Sequence, residues 1–516
     1  MWKCERICIR IGRAKIHSIF CSVGIVGNAV WKDGEGGMNI ALIIVAVYMF
    51  LLLFVAWASA MFRRNSSAEA FLLANKQLSW PLVGVMIAGI AVGGSSTVGI
   101  AQNAYTTGMS AGWYDVAWAA GAIIVGFGLA THIRGCGFDT INKMLEAVFG
   151  SKFSLVSTGI QVIINTVIIA LQIIAGGAIL TALMPDVFTM KLGIAISAVM
   201  FGLISFVGGL TAASVSNVVN IAVIYVGLII GLVATVSHFG GFETINSALP
   251  AGLSGDGSHW YSLVSGMGPA AILAWFITMI VDAVPNGGVI QNIIAARSPL
   301  DAKKGAIFAG LLMIPAGFMS AVFGIVAAAY FPGLESSALA LPSVVMELPS
   351  WVAGILLAGL WAADVSTATG LMMGVSTMVS EDIIFKYFYT GVSRQKRLTI
   401  SRGVCLSVIV VAYLAATQVS NILSALMSAL TLFAPYAVLI TAMFLFPKTV
   451  KRSSGWLTFV LGMVTFLVVQ FLIPEWRLFG QSIYTVALMS LLGFGLSQFD
   501  KTPAKVENLR NNSKAQ

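Results

Sequence analysis

Residues 89–108 read GIAVGGSSTVGIAQNAYTTG, and the reading of this stretch decides the fold. It lies inside an apolar run long enough to cross a membrane, yet it is rich in glycine, serine and threonine. Gly89, Gly93, Gly94 and Gly99 loosen the helix, while Ser95, Ser96, Thr97, Gln102 and Asn103 give it polar surface. In hydrocarbon every backbone N–H and C=O needs an internal partner, so unwinding survives only where it lines a cavity or binds something. Gly89-x-x-x-Gly93 is equally a small-xxx-small pattern of close helix packing. Spacing alone leaves the two readings even.

The surroundings settle what kind of chain this is. Of its 516 residues, 58% are hydrophobic and 9% charged, with a mean hydropathy of +0.93, more apolar surface than one water-soluble core could bury. Windows of about 20 apolar residues, the length that crosses about 30 Å of hydrocarbon, predict thirteen transmembrane helices. They fall near 39–61, 79–105, 111–133, 154–183, 189–208, 214–237, 269–295, 305–331, 350–383, 403–418, 422–447, 455–473 and 481–498. The net charge of +9 reports topology and not a nucleic acid partner. Twenty-one of the 29 Lys and Arg fall in one set of loops, against only Lys191 and Arg477 on the other side after Met38. By the positive-inside rule the N-terminus is outside and the tail 501–516 cytoplasmic.

Residues 1–37 disagree with that map, carrying six further cations on the side that should have few. "GEGG" before Met38 resembles a purine-rich ribosome-binding site read as protein, so Met38 is expected to be the start; a signal-like segment is the other reading. Deleting residues 1–37 should then leave insertion and transport intact. Loss of membrane expression, or a native peptide mapped before Met38, would refute this. Cys136 and Cys405, the cysteines beyond that segment, form no metal or disulfide pattern. Metal-protease and phosphate-loop motifs are absent from the sequence, which leaves gradient-driven transport or a channel.

The second constellation is LWAADVSTATGLMMGVSTMVSEDI, residues 360–383. Ala363, Ser366, Thr367 and Gly370 stand at i, i+3, i+4 and i+7 and share one helix face. Two adjacent hydroxyls there can offer a hard cation two uncharged oxygens, or each can bond back to its own helix.

These segments resemble the sodium:solute symporters, the family of bacterial proline, pantothenate and sialic acid transporters and of animal sodium/glucose cotransporters. The resemblance runs through nearly the whole chain from Met38 and is carried by GGSSTVG with AYTTG, FVGGLTAASVSN (206–217), IQNIIAARSPLDAKKG (290–305) and AADVSTATG (362–370). It implies an all-α polytopic membrane protein of the LeuT type, built on two inverted five-helix repeats. A leading helix and loop would occupy 38–78, the ten-helix transport core 79–447 and two trailing helices 448–500. It implies a sodium site made of backbone carbonyls of Gly89, Val92 and Ala363 with the hydroxyls of Ser366 and Thr367. The helix would break so that its carbonyls can turn to the ion.

Two positions depart from the family pattern. Asn217 stands where many members have an aspartate, and Gly370 where they have a further hydroxyl, so a second sodium site would keep only Thr369. Carboxylates also occur within spans, where their cost makes them functional candidates. Asp282 precedes a Pro-Gly break, AVPNGG, that would unwind the symmetry mate of the first broken helix; Asp364 lies off the hydroxyl face. Ser95, Ser96, Gln102, Asp282, Asn286 and Asp364 are the candidates for contact with the substrate or for coupling. Asp115 and Asp382 are expected to be wet. The function expected is sodium-coupled import of a small organic solute, by a protein in the lipid bilayer that works as a monomer and is no enzyme. Proton coupling through Asp282 or Asp364, a channel and a non-transporting receptor are the rivals.

Overall fold

The computed structural model describes residues 40–61, 74–183, 187–250, 259–334, 337–389, 391–419, 422–473 and 482–509. The expectation for residues 1–37 lies outside them. Among the described residues the regular structure is helical, and each of the thirteen expected crossings falls on helix. The leading crossing is α1 (Ile40–Met61). The Gly-rich stretch separates α2 (Trp80–Ala91) from α3 (Gly94–Thr107), and α4 (Trp113–Gly128) follows. A short surface helix, α5 (Ile141–Phe149), leads into α6 (Ser151–Leu183).

The next helix, α7 (Met190–His238), is 49 residues long, about 73 Å if straight, over twice the hydrocarbon thickness. Its contacts show that it folds back. Phe201 packs on Trp361, with ring centroids 5.4 Å apart, yet Ile224 approaches Gly359, almost the same level of one partner helix. A straight helix would hold Phe201 and Ile224 about 35 Å apart. The two apolar stretches, Met190–Val207 and Asn217–His238, are therefore two crossings, as the sequence predicts.

A second broken pair comes next, α8 (Pro269–Ala283) and α9 (Gly287–Ala295), bent by 49°. Beyond it run α10 (Pro299–Tyr330), α11 (Ser350–Thr377) with its π-helical extension Met378–Phe388, and α12 (Arg394–Ala416). Then come α13 (Ile422–Thr431) and α14 (Ala434–Leu445), followed by α15 (Ser454–Phe471) and α16 (Ser482–Leu496). At the centre is α11, buried on every side from Leu356 to Met378 although it carries Asp364 and several hydroxyls.

The outer ends of the two broken pairs are tied together. Leu78, just before α2, bridges Ala296, just after α9: Leu78 N–H donates to Ala295 O at 3.0 Å and Arg297 N–H to Leu78 O at 2.9 Å. On the same face Lys76 and Lys143 pair with Asp139, at 2.9 and 3.1 Å, and Glu381 takes Lys143 and Arg397, at 3.2 and 2.8 Å. Partial burial works to raise the Asp139 pKa, but Lys143 and Lys76 together hold it below the usual carboxylate range.

Asp115 and Asp382 are not wet. Asp115 is fully buried because α10 covers it at Gly317, whose missing side chain leaves room for the aspartate Cβ. Asp382 is buried and accepts a 2.6 Å hydrogen bond from Thr140 Oγ1. Cys136 and Cys405 are free and buried.

Candidate functional site

The first break is made by two residues. Val92 (φ −82°, ψ 75°) and Gly93 (φ −113°, ψ −174°) leave helical geometry, and the axis beyond them turns by 45°. The consequence is local and specific. Gly93 N–H, which an unbroken helix would send to Gly89 O, donates instead to Ala91 O at 3.0 Å. The Gly89 carbonyl is thereby free for other partners. It accepts from Ser366 Oγ at 2.8 Å and Thr367 Oγ1 at 2.9 Å, both on α11. Ser366 Oγ is also 2.9 Å from Ala363 O.

The structure thus brings together Gly89, Ala363, Ser366 and Thr367, with Val92 at the break beside them. All are buried. Bonding of the hydroxyls back to their own helix is met only in part, since Ser366 bonds within α11 and also across to α2. Among the described residues Thr367 Oγ1 bonds only across, to Gly89 O. Gly89 also carries the close-packing role: a Cβ there would lie 3.1 Å from Asn217 Nδ2 and 3.3 Å from Ser366 Cβ.

The other candidates divide. Ser96 donates to Gly93 O at 2.8 Å and serves the start of α3. The side chain of Ser95 lies outside the described residues. Gln102, two turns on, reaches Ser337 Oγ at 3.3 Å and is not part of the Gly89 cluster. At the second break Asn286 caps α9, its Oδ1 accepting from Gly288 N–H and Val289 N–H at 3.1 and 3.2 Å. Its Nδ2 donates to Asp282 Oδ1 at 3.1 Å, and Oδ2 of that carboxylate has no hydrogen bond among the described residues. Asp364 is buried with its carboxylate against Gly94.

The breaks meet through the small face of α11. Gly374 packs on the Gly287–Gly288 backbone, where a Cβ would be 3.1 Å away, and Ile90 fills the space beside Gly370 and Gly288. Sequence reasoning missed Gln172, whose Oε1 would lie 2.8 Å from a Cβ on Gly93. Its signal was a lone amide in the apolar run VIIALQIIAGG (167–177).

Oxygens gathered at a helix break in a bundle of apolar helices are what a cation-coupled carrier needs, and the comparisons show such a carrier. The model of the sodium:solute symporter family matches residues 71–462. The chain belongs to the sodium:solute symporter family. A sodium/glucose cotransporter of Vibrio parahaemolyticus is 23% identical over 419 residues, covering 75% of this chain and 77% of that one. The sodium/glucose cotransporter 1 of Oryctolagus cuniculus is 24% identical over 406 residues, 67% and 59% of the two chains. A solved Na+-coupled sialic acid symporter superposes with a TM-score of 0.77 at 16% identity, over 91% of this chain and 99% of that one, which shows the fold. This symporter is accordingly a multi-pass membrane carrier of the LeuT type that couples solute transport to sodium, and not an enzyme.

Gly93→Ala should weaken the sodium response several-fold, because its methyl would overlap Thr367 Oγ1 and press on Gln172. Gly99→Ala is the control, since a methyl there meets nothing within 4 Å. Sodium titration of thermal stability in both purified variants checks this, and equal responses would count against the site.

Proposed function

We propose that main-chain carbonyls of Gly89, Val92 and Ala363, with the hydroxyls of Ser366 and Thr367, hold the coupled sodium ion while the chain imports a small organic solute by alternating access. The observation that supports this is the Gly89 carbonyl, released from its own helix and faced by both hydroxyls. A hydroxyl offers two lone pairs as well as its hydrogen, so an entering ion would turn both hydroxyls and take the place of their hydrogens. Five uncharged oxygens suit a hard monovalent cation. Because they come from α2 and α11, the ion would clamp one broken helix against the central helix. That is how ion binding would alter the geometry at the solute's place beside the breaks.

In this reading residues 79–447 form the ten-helix core and 448–500 the trailing helices. The protein sits in the cell membrane with its N-terminus outside and its tail cytoplasmic. The Leu78–Ala296 bridge and the Lys76–Asp139–Lys143–Glu381–Arg397 cluster then close the cytoplasmic side. One chain supplies every oxygen of the site, so a monomer suffices. Solute counterflow in proteoliposomes, with sodium and without it, tests the reading. Sodium-dependent counterflow is expected. Flux without exchange acceleration would indicate a channel, and uptake that follows a pH gradient without sodium would move coupling to Asp282 or Asp364.

A further inference from the structure

The charged cluster on the side that the transport reading makes cytoplasmic is gathered on one small element. Asp139 and Thr140 lead into α5, and Lys143 and Glu146 lie on it. Lys76, which pairs with Asp139, stands four residues before Trp80, where α2 begins. Glu381, Asp382 and Lys386, which meet Lys143, Thr140 and Glu146, all lie on the extension of α11. So α5 joins the approach to α2 with the end of α11, the same two helices that the Gly89 carbonyl and the hydroxyls of Ser366 and Thr367 join at the break. Yet α5 has only nine residues. Isolated helices are marginal below about 12–15 residues, and partly exposed ion pairs contribute little singly. What packs on α5 therefore decides where its clamping groups stand.

Its C-terminal end is seated by the tail of the chain. Beyond α16 the backbone runs along residues 450–453: Asp500 Oδ2 accepts from Ser453 N–H at 3.1 Å, Arg452 N–H donates to Thr502 O at 3.0 Å, and Ala504 N–H to Val450 O at 3.1 Å. This strap ends on α5. Asn508 Nδ2 donates to Ala147 O at 2.9 Å, one of the last carbonyls of the helix, for which the helix itself has no donor. Leu509, the next residue, is 3% exposed and belongs to the main apolar core. The start of α15 seats the same end, for a Cβ on Gly455 would lie 2.9 Å from the Phe149 ring.

We infer that Asn508 and Leu509 are positioning residues of the transport cycle. By seating one end of α5 they hold its other end, with Thr140 and Lys143, against the extension of α11, and so keep this side closed while sodium is bound. Two clamps that draw α2 and α11 together favour one arrangement, and each must then strengthen the other by the same factor. The element that both bias is α5 in its seat. This rests on the transport reading above and adds the part of the chain that holds its closed side.

The test is sodium titration of thermal stability in the purified full chain, for the native protein, Leu509→Ala, Asn508→Ala, Lys143→Gln and the pair of Leu509→Ala with Lys143→Gln. Lys501→Ala, at an exposed position of the strap, is the control. Leu509→Ala and Lys143→Gln should each raise the half-saturating sodium concentration at least about fivefold, the lower end of coupling between distant sites. The pair should raise it no further than the larger single change, because both act through one element. Asn508→Ala should move it in the same direction by less, and Lys501→Ala should leave it unchanged. A lower melting temperature in Leu509→Ala with an unchanged sodium response would make the strap a brace only, and overturns the inference. So do an unchanged response in Lys143→Gln and effects that multiply in the pair. If Leu509→Ala cannot be purified, Asn508→Ala decides, alone and paired with Lys143→Gln, by the same criteria. Hydrogen exchange of residues 139–149 gives a second reading: sodium should slow it in the native protein and less in Leu509→Ala, and equal slowing in both counts against the inference. Absence of any sodium stabilisation in the native protein defeats the transport reading, whereas stabilisation indifferent to the strap defeats only this inference.

Discussion

Purified protein carrying both Ser366→Ala and Thr367→Ala should need at least about ten times more sodium for half-maximal thermal stabilisation than the unmodified chain. Each lost oxygen leaves the buried ion, or the Gly89 carbonyl, short of a partner, a penalty of about 1–3 kcal/mol. Stability in the absence of sodium will also fall, since both hydroxyls bridge α11 to α2. The sodium dependence and not the melting temperature is therefore the readout. Thr367→Ser keeps the oxygen and should keep the response. Ser366→Ala alone should cost less than the pair, because Thr367 still faces Gly89 at 2.9 Å. An unchanged sodium response in the double variant would mean that the hydroxyls only staple two helices together.

What could be read beforehand followed from local chemistry. Glycine clustered inside an apolar run announced the first break, and Pro with Gly announced the second; in both places the backbone leaves the helix where the sequence weakens it. The i, i+3, i+4 spacing put Ser366 and Thr367 on one face because helical geometry alone decides that. The points that were missed depend on residues distant in sequence. Asp115 looked wet at a span end, but its burial is set by Gly317, 202 positions away. For Asn286, a solute candidate by sequence, the cap it gives α9 was not legible, because only the break it sits in turns its side chain there. Gln172 showed no periodic pattern, and only the approach of α6 to Gly93 brings it to the site.

One sodium ion should accompany each solute molecule. The position that could charge a second site is locked in a neutral chain: Tyr48 Oη donates to Asn220 Oδ1 at 2.5 Å, Asn220 Nδ2 to Asn217 Oδ1 at 3.3 Å, and Asn217 Nδ2 reaches Met86 Sδ at 3.2 Å. The remaining hydroxyl, Thr369 Oγ1, is spent on its own helix, donating to Val365 O at 2.8 Å and Ser366 O at 3.2 Å. Gly370 brings no oxygen, and the space beside it is filled by Ile90, 2.8 Å from where a Cβ would stand. Each charge carried is worth about 2.3 kcal/mol per 100 mV, or about fiftyfold in solute accumulation at tenfold per 1.4 kcal/mol. With a neutral solute, a second coupled sodium would square that electrical factor, so the two stoichiometries differ greatly in what they can concentrate. Sodium activation is expected to be hyperbolic, with a Hill coefficient of about one. Asn217→Asp combined with Gly370→Ser should add a weak second dependence, limited by the movement Ile90 must make. Reversal potentials in proteoliposomes decide the matter: a value for two sodium ions per solute in the unmodified protein, or sigmoidal activation, would mean that the ion finds ligands other than Asn217, Thr369 and Gly370.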